Sequence, residues 1–212
     1  MQELRSFVAT LRLGGAMIYP LLFLAVVATV VVLEKGFVFA TRTRLPASLL
    51  RMLDTYGFEW EEVGRRVGRM DPRNYFSRFF RVILENRKQA VWWVESRAAE
   101  EAGLIEKSLG RWLWVLETIV TAAPLLGLLG TITGMVRAFK LFGSEGLVDP
   151  RGVTGGVAEA LIATALGLFI ALIALFAFNF FSYRQAQVMD EMEQLGTRLI
   201  DHIRLDGPEA AP

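Results

Sequence analysis

The chain has 212 residues, 53% of them hydrophobic, and its 23 basic and 22 acidic side chains leave a formal net charge of +1. This balance disfavours a general nucleic-acid binder, which carries a strong basic excess. The absence of cysteine excludes disulfides, thiol catalysis and cysteine-ligated zinc or iron–sulfur centres, and the single histidine, His202, disfavours histidine-based metal sites. We therefore expect no metal and no cofactor.

The apolar residues are concentrated in three uncharged segments, residues 13–33, 118–136 and 160–183. A membrane-spanning helix needs about 20 predominantly apolar residues, so each segment is long enough to span a bilayer. A cleaved signal peptide is the alternative for the first segment. Its uncharged run is longer than the usual apolar region of about 7–15 residues, and Glu34 and Lys35 separate it from the nearest cleavage-like site. The sequence therefore predicts transmembrane helices at 13–33, 118–136 and 157–183.

The basic residues predict the orientation of these spans. Residues 34–117 contain 15 of the 23 Lys and Arg, whereas the N-terminal tail contains two and residues 137–159 contain three. Basic loops remain on the cytoplasmic side, so 34–117 is expected to be a cytoplasmic helical domain. The N-terminal segment 1–12 and the short loop 137–156 then face outward, and residues 184–212 form a cytoplasmic C-terminal helix and tail.

The segments outside the membrane show helical periodicity. Asp71-Pro72 indicates the end of one helix and the start of the next, and no proline follows until Pro124, so a helix is expected to enter the second span without a break near Trp112. The expected packed positions are Phe76, Phe79, Phe80, Ile83, Leu84, Leu104, Ile105 and Leu109, followed after the third span by Val188, Met192, Leu195 and Leu199. The predicted fold is an all-α membrane protein with three transmembrane helices and long cytoplasmic helical extensions.

The second and third spans each carry a stripe of small residues with one threonine, Thr131 or Thr164, at matching depth. Small faces let membrane helices approach closely, so close packing is the simplest explanation for both stripes. The stripes, each on one helical face, consist of Gly127, Thr131, Gly134 and Ala138 in the second span and of Ala160, Thr164, Gly167, Ala171 and Ala174 in the third.

Glu159 lies at the start of the third apolar run, close to its small face. An ionisable group at membrane depth is costly and usually faces a cavity, an ion path or a partner. The alternative is an acid in the first turn of the helix, favoured by the helix dipole, because Gly155-Gly156 resembles a loop. Arg137, at the same end of the second span, is expected to extend toward the membrane interface.

Other chemistries lack support in the sequence. There is no phosphate-binding Gly-Lys-Ser/Thr loop and no nucleophile elbow, and the acidic and basic residues form no recognisable catalytic constellation. We therefore expect that the chain is not an enzyme.

Two motifs resemble the ExbB/TolQ/MotA proton-channel family. Residues 123–135 read Ala-Pro-Leu-Leu-Gly-Leu-Leu-Gly-Thr-Ile-Thr-Gly-Met, followed by Phe139, and are similar to the second-span signature of that family. Residues 155–168 read Gly-Gly-Val-Ala-Glu-Ala-Leu-Ile-Ala-Thr-Ala-Leu-Gly-Leu, ahead of Asn179, and resemble its third-span signature. The three-span layout favours the ExbB/TolQ branch, although the first 110 residues resemble the family in layout alone.

The resemblance implies an inner-membrane proton-channel or motor subunit of a bacterium, with its N-terminus in the periplasm and its C-terminus in the cytoplasm. It implies a homopentamer around a dimer of an ExbD/TolR-type single-span partner whose membrane aspartate carries the proton. The proton-motive force would then drive a TonB- or TolA-like energy transducer, as in TonB-dependent transport. Thr131, Thr164 and Glu159 match the proton pathway, and Gly127, Gly134, Ala160, Gly167 and Ala171 match the small faces of the pore.

One departure leaves the subfamily open. Ile173 replaces a proline that the family often carries, so a less kinked third helix is expected. A TolQ-like subunit, a gliding-type motor subunit and a membrane scaffold that conducts nothing remain the alternatives. The expected binding partners are the ExbD/TolR-type protein, the TonB- or TolA-like transducer, further copies of the chain and membrane lipid, with no nucleic acid.

Overall fold

A computed structural model describes residues 15–46, 49, 51–52, 59–140 and 150–206, which are almost entirely helical and include no strand. The helices are α1 (Ile18–Arg42), α2 (Trp60–Gly68), α3 (Tyr75–Asn86), α4 (Val91–Gly110), α5 (Leu113–Lys140) and α6 (Pro150–Asp206). The chain divides into two compact units, a span unit of residues 1–33 and 112–180 and an extension unit of residues 34–111 and 181–212. The predicted segment 1–12, residues 141–149 of the loop 137–156 and residues 207–212 of the tail lie outside the described residues.

Three helical stretches within the described residues are long and apolar enough to cross a membrane, and each overlaps one of the three predicted spans. The first, α1, presents one stripe of large exposed side chains, as expected for a helix that faces lipid. This stripe follows helical spacing and consists of Tyr19, Phe23, Val26, Val30 and Leu33 in the span unit. The all-α membrane fold is therefore confirmed.

The uninterrupted helix expected near Trp112 is wrong. Helix α4 ends at Gly110, Arg111 adopts an extended ψ of 132°, and Trp112 has a φ of +68°. A positive φ is costly for a residue with a Cβ, so the break depends on the surrounding structure rather than on the preference of tryptophan. The sequence offers one signal for it, Gly110 at the end of α4, because glycine and a basic last turn are typical of helix ends.

The helix that contains the third predicted span begins earlier than expected. Helix α6 starts at Pro150, so Gly155 and Gly156 are helical rather than part of a loop. Proline suits a first helical position because its missing N–H would have no intrahelical partner there. Glu159 therefore lies more than two turns inside α6, which excludes its role as a first-turn acid. The helix also continues without interruption through Ile173 to Asp206.

The extension unit has an aromatic and aliphatic core. Asn74 caps α3 by accepting hydrogen bonds from the backbone N–H groups of Phe76 and Ser77, and Asp71-Pro72 lies in the preceding turn, as predicted. The expected stripe Val188, Met192, Leu195 and Leu199 is buried. Of the expected α4 positions, Ile105 and Leu109 are buried, but Leu104 is 51% exposed, so its assignment to the core is wrong.

Lys35 departs from the pattern of an interfacial lysine. Its side chain is fully buried in the extension unit, and Nζ donates a hydrogen bond to the carbonyl oxygen of Leu109 at 2.8 Å. The carbonyls of the last turn of a helix have no partner within that helix. Lys35 therefore satisfies one of the carbonyls left free where α4 ends.

The difference between Phe80 and Leu104 generates a stability prediction. Phe80 is fully buried, and its ring centroid lies 5.8 Å from that of Phe79. We expect Phe80→Ala to lower the free energy of unfolding by about 3–5 kcal/mol, because it removes a buried aromatic ring. Leu104→Ala, the matched exposed control in the same unit, should change it by less than about 0.5 kcal/mol. Denaturant unfolding of the full chain in detergent micelles measures both, and equal effects would contradict the assigned core.

Candidate functional site

The small faces of the second and third spans pack directly against each other in the span unit. A Cβ placed on Gly127 would lie 3.0 Å from Thr164 Cα, and one placed on Gly134 would lie 2.9 Å from Ala160 Cβ. A Cβ on Gly167 would lie 2.5 Å from the carbonyl oxygen of Ala123. These distances leave no room for larger side chains, so the two backbones approach as closely as glycine and alanine permit. As residue numbers rise along α5 they fall along α6, which makes the spans antiparallel.

All five residues expected on the small pore faces are buried in the structure. Gly127, Gly134, Ala160 and Gly167 lie at the contact between the two spans. Ala171 is 7% exposed, one turn further along α6. Within one chain this face acts as a packing surface, and its role in lining a pore stays a prediction. Three further small residues that the sequence analysis did not single out also belong to the contact, namely Gly130, Gly156 and Ala163.

The two threonines use their hydroxyl groups differently. Thr164 Oγ1 donates to the carbonyl oxygen of Gly127 on the other span at 2.8 Å. Thr131 Oγ1 donates within its own helix, to the carbonyl oxygen of Leu128 at 2.6 Å. Because Thr164 lies opposite Gly127, Thr131 is about 6 Å further along the span axis, at a rise of about 1.5 Å per residue. The threonines are therefore about one turn apart rather than at the expected matching depth.

Glu159 forms an ion pair between the spans. Its Oε1 lies 2.9 Å from Nη1 of Arg137, and the glutamate side chain is 24% exposed against 56% for the arginine. Arg137 is therefore the ion-pair partner of Glu159, a role that its position at the end of the span did not predict. Pairing is the usual solution for ionisable groups at membrane depth, because an isolated charge there is costly.

Gly15, which the sequence analysis did not select, lies against the same carboxylate. Its φ is +66°, and a Cβ on this residue would overlap the Glu159 carboxylate. A glycine just before an apolar helix is too common a signal to reveal such a contact from the sequence. The structure thus brings Glu159, Arg137 and Gly15 together. Thr131 and Thr164 lie on α5 and α6, the span pair, further along the spans from Glu159.

The polar groups of the site can exchange protons and hydrogen bonds. Among the described residues, no cluster of three or more His, Cys, Asp or Glu side chains could hold a metal ion. The predicted site residues and Arg137 offer the carboxylate of Glu159, the guanidinium of Arg137 and the hydroxyls of Thr131 and Thr164. A carboxylate can accept or release a proton, and a hydroxyl can both donate and accept a hydrogen bond.

The close approach of α5 and α6 can be tested by cross-linking, because the chain contains no native cysteine. A Cβ on Gly156 would lie 3.0 Å from Ala138 Cβ, near the range of about 3.5–4.5 Å typical of disulfides. We expect Ala138→Cys/Gly156→Cys to form an intramolecular disulfide on oxidation. Cleavage at a protease site introduced within 141–149 should then leave the halves joined on a non-reducing gel.

Ala138→Cys/Gly155→Cys is the matched control, because a Cβ on Gly155 has no neighbouring atom within 4 Å beyond its own helix. This pair should remain uncross-linked. Separated halves for the Gly156 pair, or cross-linking between chains alone, would contradict the packing of the two spans within one chain.

Comparison with known proteins places the chain in a family of membrane proteins. A model of the MotA/TolQ/ExbB proton channel family matches residues 72–194, more than half of the chain and both small-faced spans. An ExbB-like biopolymer transport protein of Synechocystis is 29% identical over 189 residues, which cover 88% of this chain and 74% of that protein.

Two further relatives match over shorter stretches. The biopolymer transport protein ExbB of Xanthomonas campestris is 42% identical over 87 residues, 41% of this chain and 34% of that protein. The ExbB of Aquifex aeolicus is 40% identical over 76 residues, 36% of this chain and 51% of that protein. The chain is thus a multi-pass membrane protein similar to transport subunits rather than to a family of enzymes. It belongs to the MotA/TolQ/ExbB proton channel family, in its ExbB branch.

Proposed function

We propose that the chain is the channel subunit of an inner-membrane motor, in which it works with an ExbD/TolR-type single-span partner to convert proton-motive force into work on a TonB- or TolA-like transducer. The observation that carries this proposal is the family match across residues 72–194, which contain both small-faced spans, Thr131, Thr164 and Glu159. Copies of the chain assemble as a homopentamer around a partner dimer, with the N-terminus in the periplasm and the C-terminus in the cytoplasm.

The packing of the spans supports a division of roles within this motor. Gly127, Gly134, Ala160 and Gly167 hold α5 and α6 at one separation, because any larger side chain would push the backbones apart. This rigid pair can form the wall of a pore in the oligomer. Large apolar side chains of α5, among them Leu125, Leu128 and Ile132, are exposed in the single chain and are available to lipid or to neighbouring copies.

The polar groups of the pair then handle the proton. A proton crossing about 30 Å of hydrocarbon needs polar groups or water along its path. Thr131, Thr164 and Glu159 supply these groups, and the membrane carboxyl of the partner carries the proton past them. The threonine hydroxyls lower the cost of this acid by offering it hydrogen bonds.

The direct experiment is proton flux into lipid vesicles that contain the chain with its single-span partner, under an imposed pH gradient. We expect flux above that of empty vesicles only when both proteins are present, because the channel wall and the proton-carrying acid come from different chains. The scaffold alternative predicts no flux even though the complex forms. Formation of the complex without flux would therefore overturn the proposed function.

Two threonines of α5 provide a matched pair of variants. Thr131 and Thr133 each donate a hydrogen bond to the carbonyl oxygen three residues earlier, to Leu128 and Gly130 respectively. Thr131→Val should reduce flux by about tenfold or more, the scale of an interaction of roughly 1.4 kcal/mol or more in the rate-limiting step. Thr133→Val should leave flux nearly unchanged, because this residue lies off the predicted pathway. Equal flux for the two variants would remove Thr131 from the proton pathway.

A further inference from the structure

Three segments of the span unit meet at the Glu159 carboxylate, at the end of the spans that residues 141–149 connect. Arg137 approaches from α5, with 2.9 Å between Nη1 and Glu159 Oε1, and Gly15 lies against the carboxylate from the segment before α1. We call this set the Gly15–Arg137–Glu159 junction. The junction differs from the small-residue contact, because it consists of an ion pair and a backbone segment rather than of apolar side chains.

The space at Gly15 is closed by the carboxylate. With φ at +66°, the backbone adopts a conformation that residues with a Cβ rarely take, and a Cβ would occupy the position of the Glu159 carboxyl atoms. The turn continues into α1 through a hydrogen bond from Ile18 N–H to the Gly15 carbonyl oxygen at 3.3 Å. The placement of Glu159 therefore requires the absence of a side chain at position 15.

Arg137 supplies the opposing restraint. Its guanidinium is 56% exposed, so the net stabilisation from the ion pair is modest, but the contact fixes the direction of the carboxylate. Without this cation, Glu159 is free to take other rotamers at the end of the spans. The ion pair therefore adds little stability but holds the Glu159 carboxylate in position. Such positioning matters when a group must meet a reacting partner at close range.

We propose that Gly15 and Arg137 are positioning residues for Glu159, which hold its carboxylate in one place among the three segments, and that proton transfer requires this placement. The proposal rests on the proposed proton-channel function and assigns two residues of this chain to it. The N-terminal segment thereby becomes part of the site through the backbone of Gly15.

The first test measures placement without any need for conduction. Gly15→Ala should lower the Tm of the purified chain by several degrees. In the Glu159→Ala background, Gly15→Ala should lower the Tm by less than about half as much, because the clash with the carboxylate is gone. Gly15→Asn tolerates positive φ but retains the Cβ, so it separates the clash from the backbone strain. Gly155→Ala is the matched control, with open space at its Cβ, and its effect should be the same in both backgrounds.

The second test measures proton flux with the single-span partner in vesicles. Arg137→Gln and Gly15→Asn should each reduce flux by about tenfold to a hundredfold, as expected for a displaced reacting group. Arg137→Lys retains the cation and should keep at least about half of the wild-type flux. If Arg137 acted only through the shape of its guanidinium, lysine would not rescue the flux. Gly155→Ala should conduct like the wild type.

The outcomes separate the two claims. Additive Tm changes for Gly15→Ala and Glu159→Ala would overturn the junction, whatever the flux. Non-additive Tm changes with normal flux in Arg137→Gln and Gly15→Asn would overturn its role in proton transfer. If the wild type conducts nothing with its partner, the proposed function fails and with it the role of the junction in transfer, while the Tm cycle still decides whether Gly15 and Glu159 meet.

Discussion

The contact between α5 and α6 depends on the absence of side-chain bulk. In a bilayer, burial of apolar surface gives little drive for helices to associate, because lipid tails are as apolar as leucine. Close van der Waals contact between backbones is then the main attraction, and it requires glycine or alanine wherever the helices touch. The contact runs from Ala123 opposite Gly167 to Ala138 opposite Gly156, so it sets the register of every polar group on the two spans.

Each polar group takes its position from this register. Thr164 reaches the Gly127 carbonyl across the close contact, and Arg137 reaches Glu159 because the antiparallel packing brings the last turn of α5 beside the third turn of α6. The carboxylate is tolerated in the span unit because a cation and a backbone segment enclose it. A change in helix separation would therefore alter the hydrogen bond and the ion pair together.

The sequence predicted the elements and the stripes well, because hydrophobic length and helical periodicity are local properties. Three spans, the buried stripe that contains Met192 and Leu199, and the small faces all follow from spacing in a single helix. Local patterns cannot show which partner a polar side chain selects across space. The Arg137–Glu159 pair and the contact at Gly15 therefore needed the structure, and so did the break at Trp112, where a tryptophan adopts a positive φ. The helix start at Pro150 was hidden by two glycines that read as a loop.

The central claim is that the carboxylate of Glu159, held in the span pair, takes part in proton transfer. The most direct measurement compares proton flux for Glu159→Gln and for the wild type, each reconstituted in vesicles with the single-span partner at equal amounts of assembled complex. Glutamine keeps the size of the side chain and removes its exchangeable acid, so the account predicts flux near that of vesicles without the partner. Wild-type flux from Glu159→Gln, with assembly intact, would contradict the account.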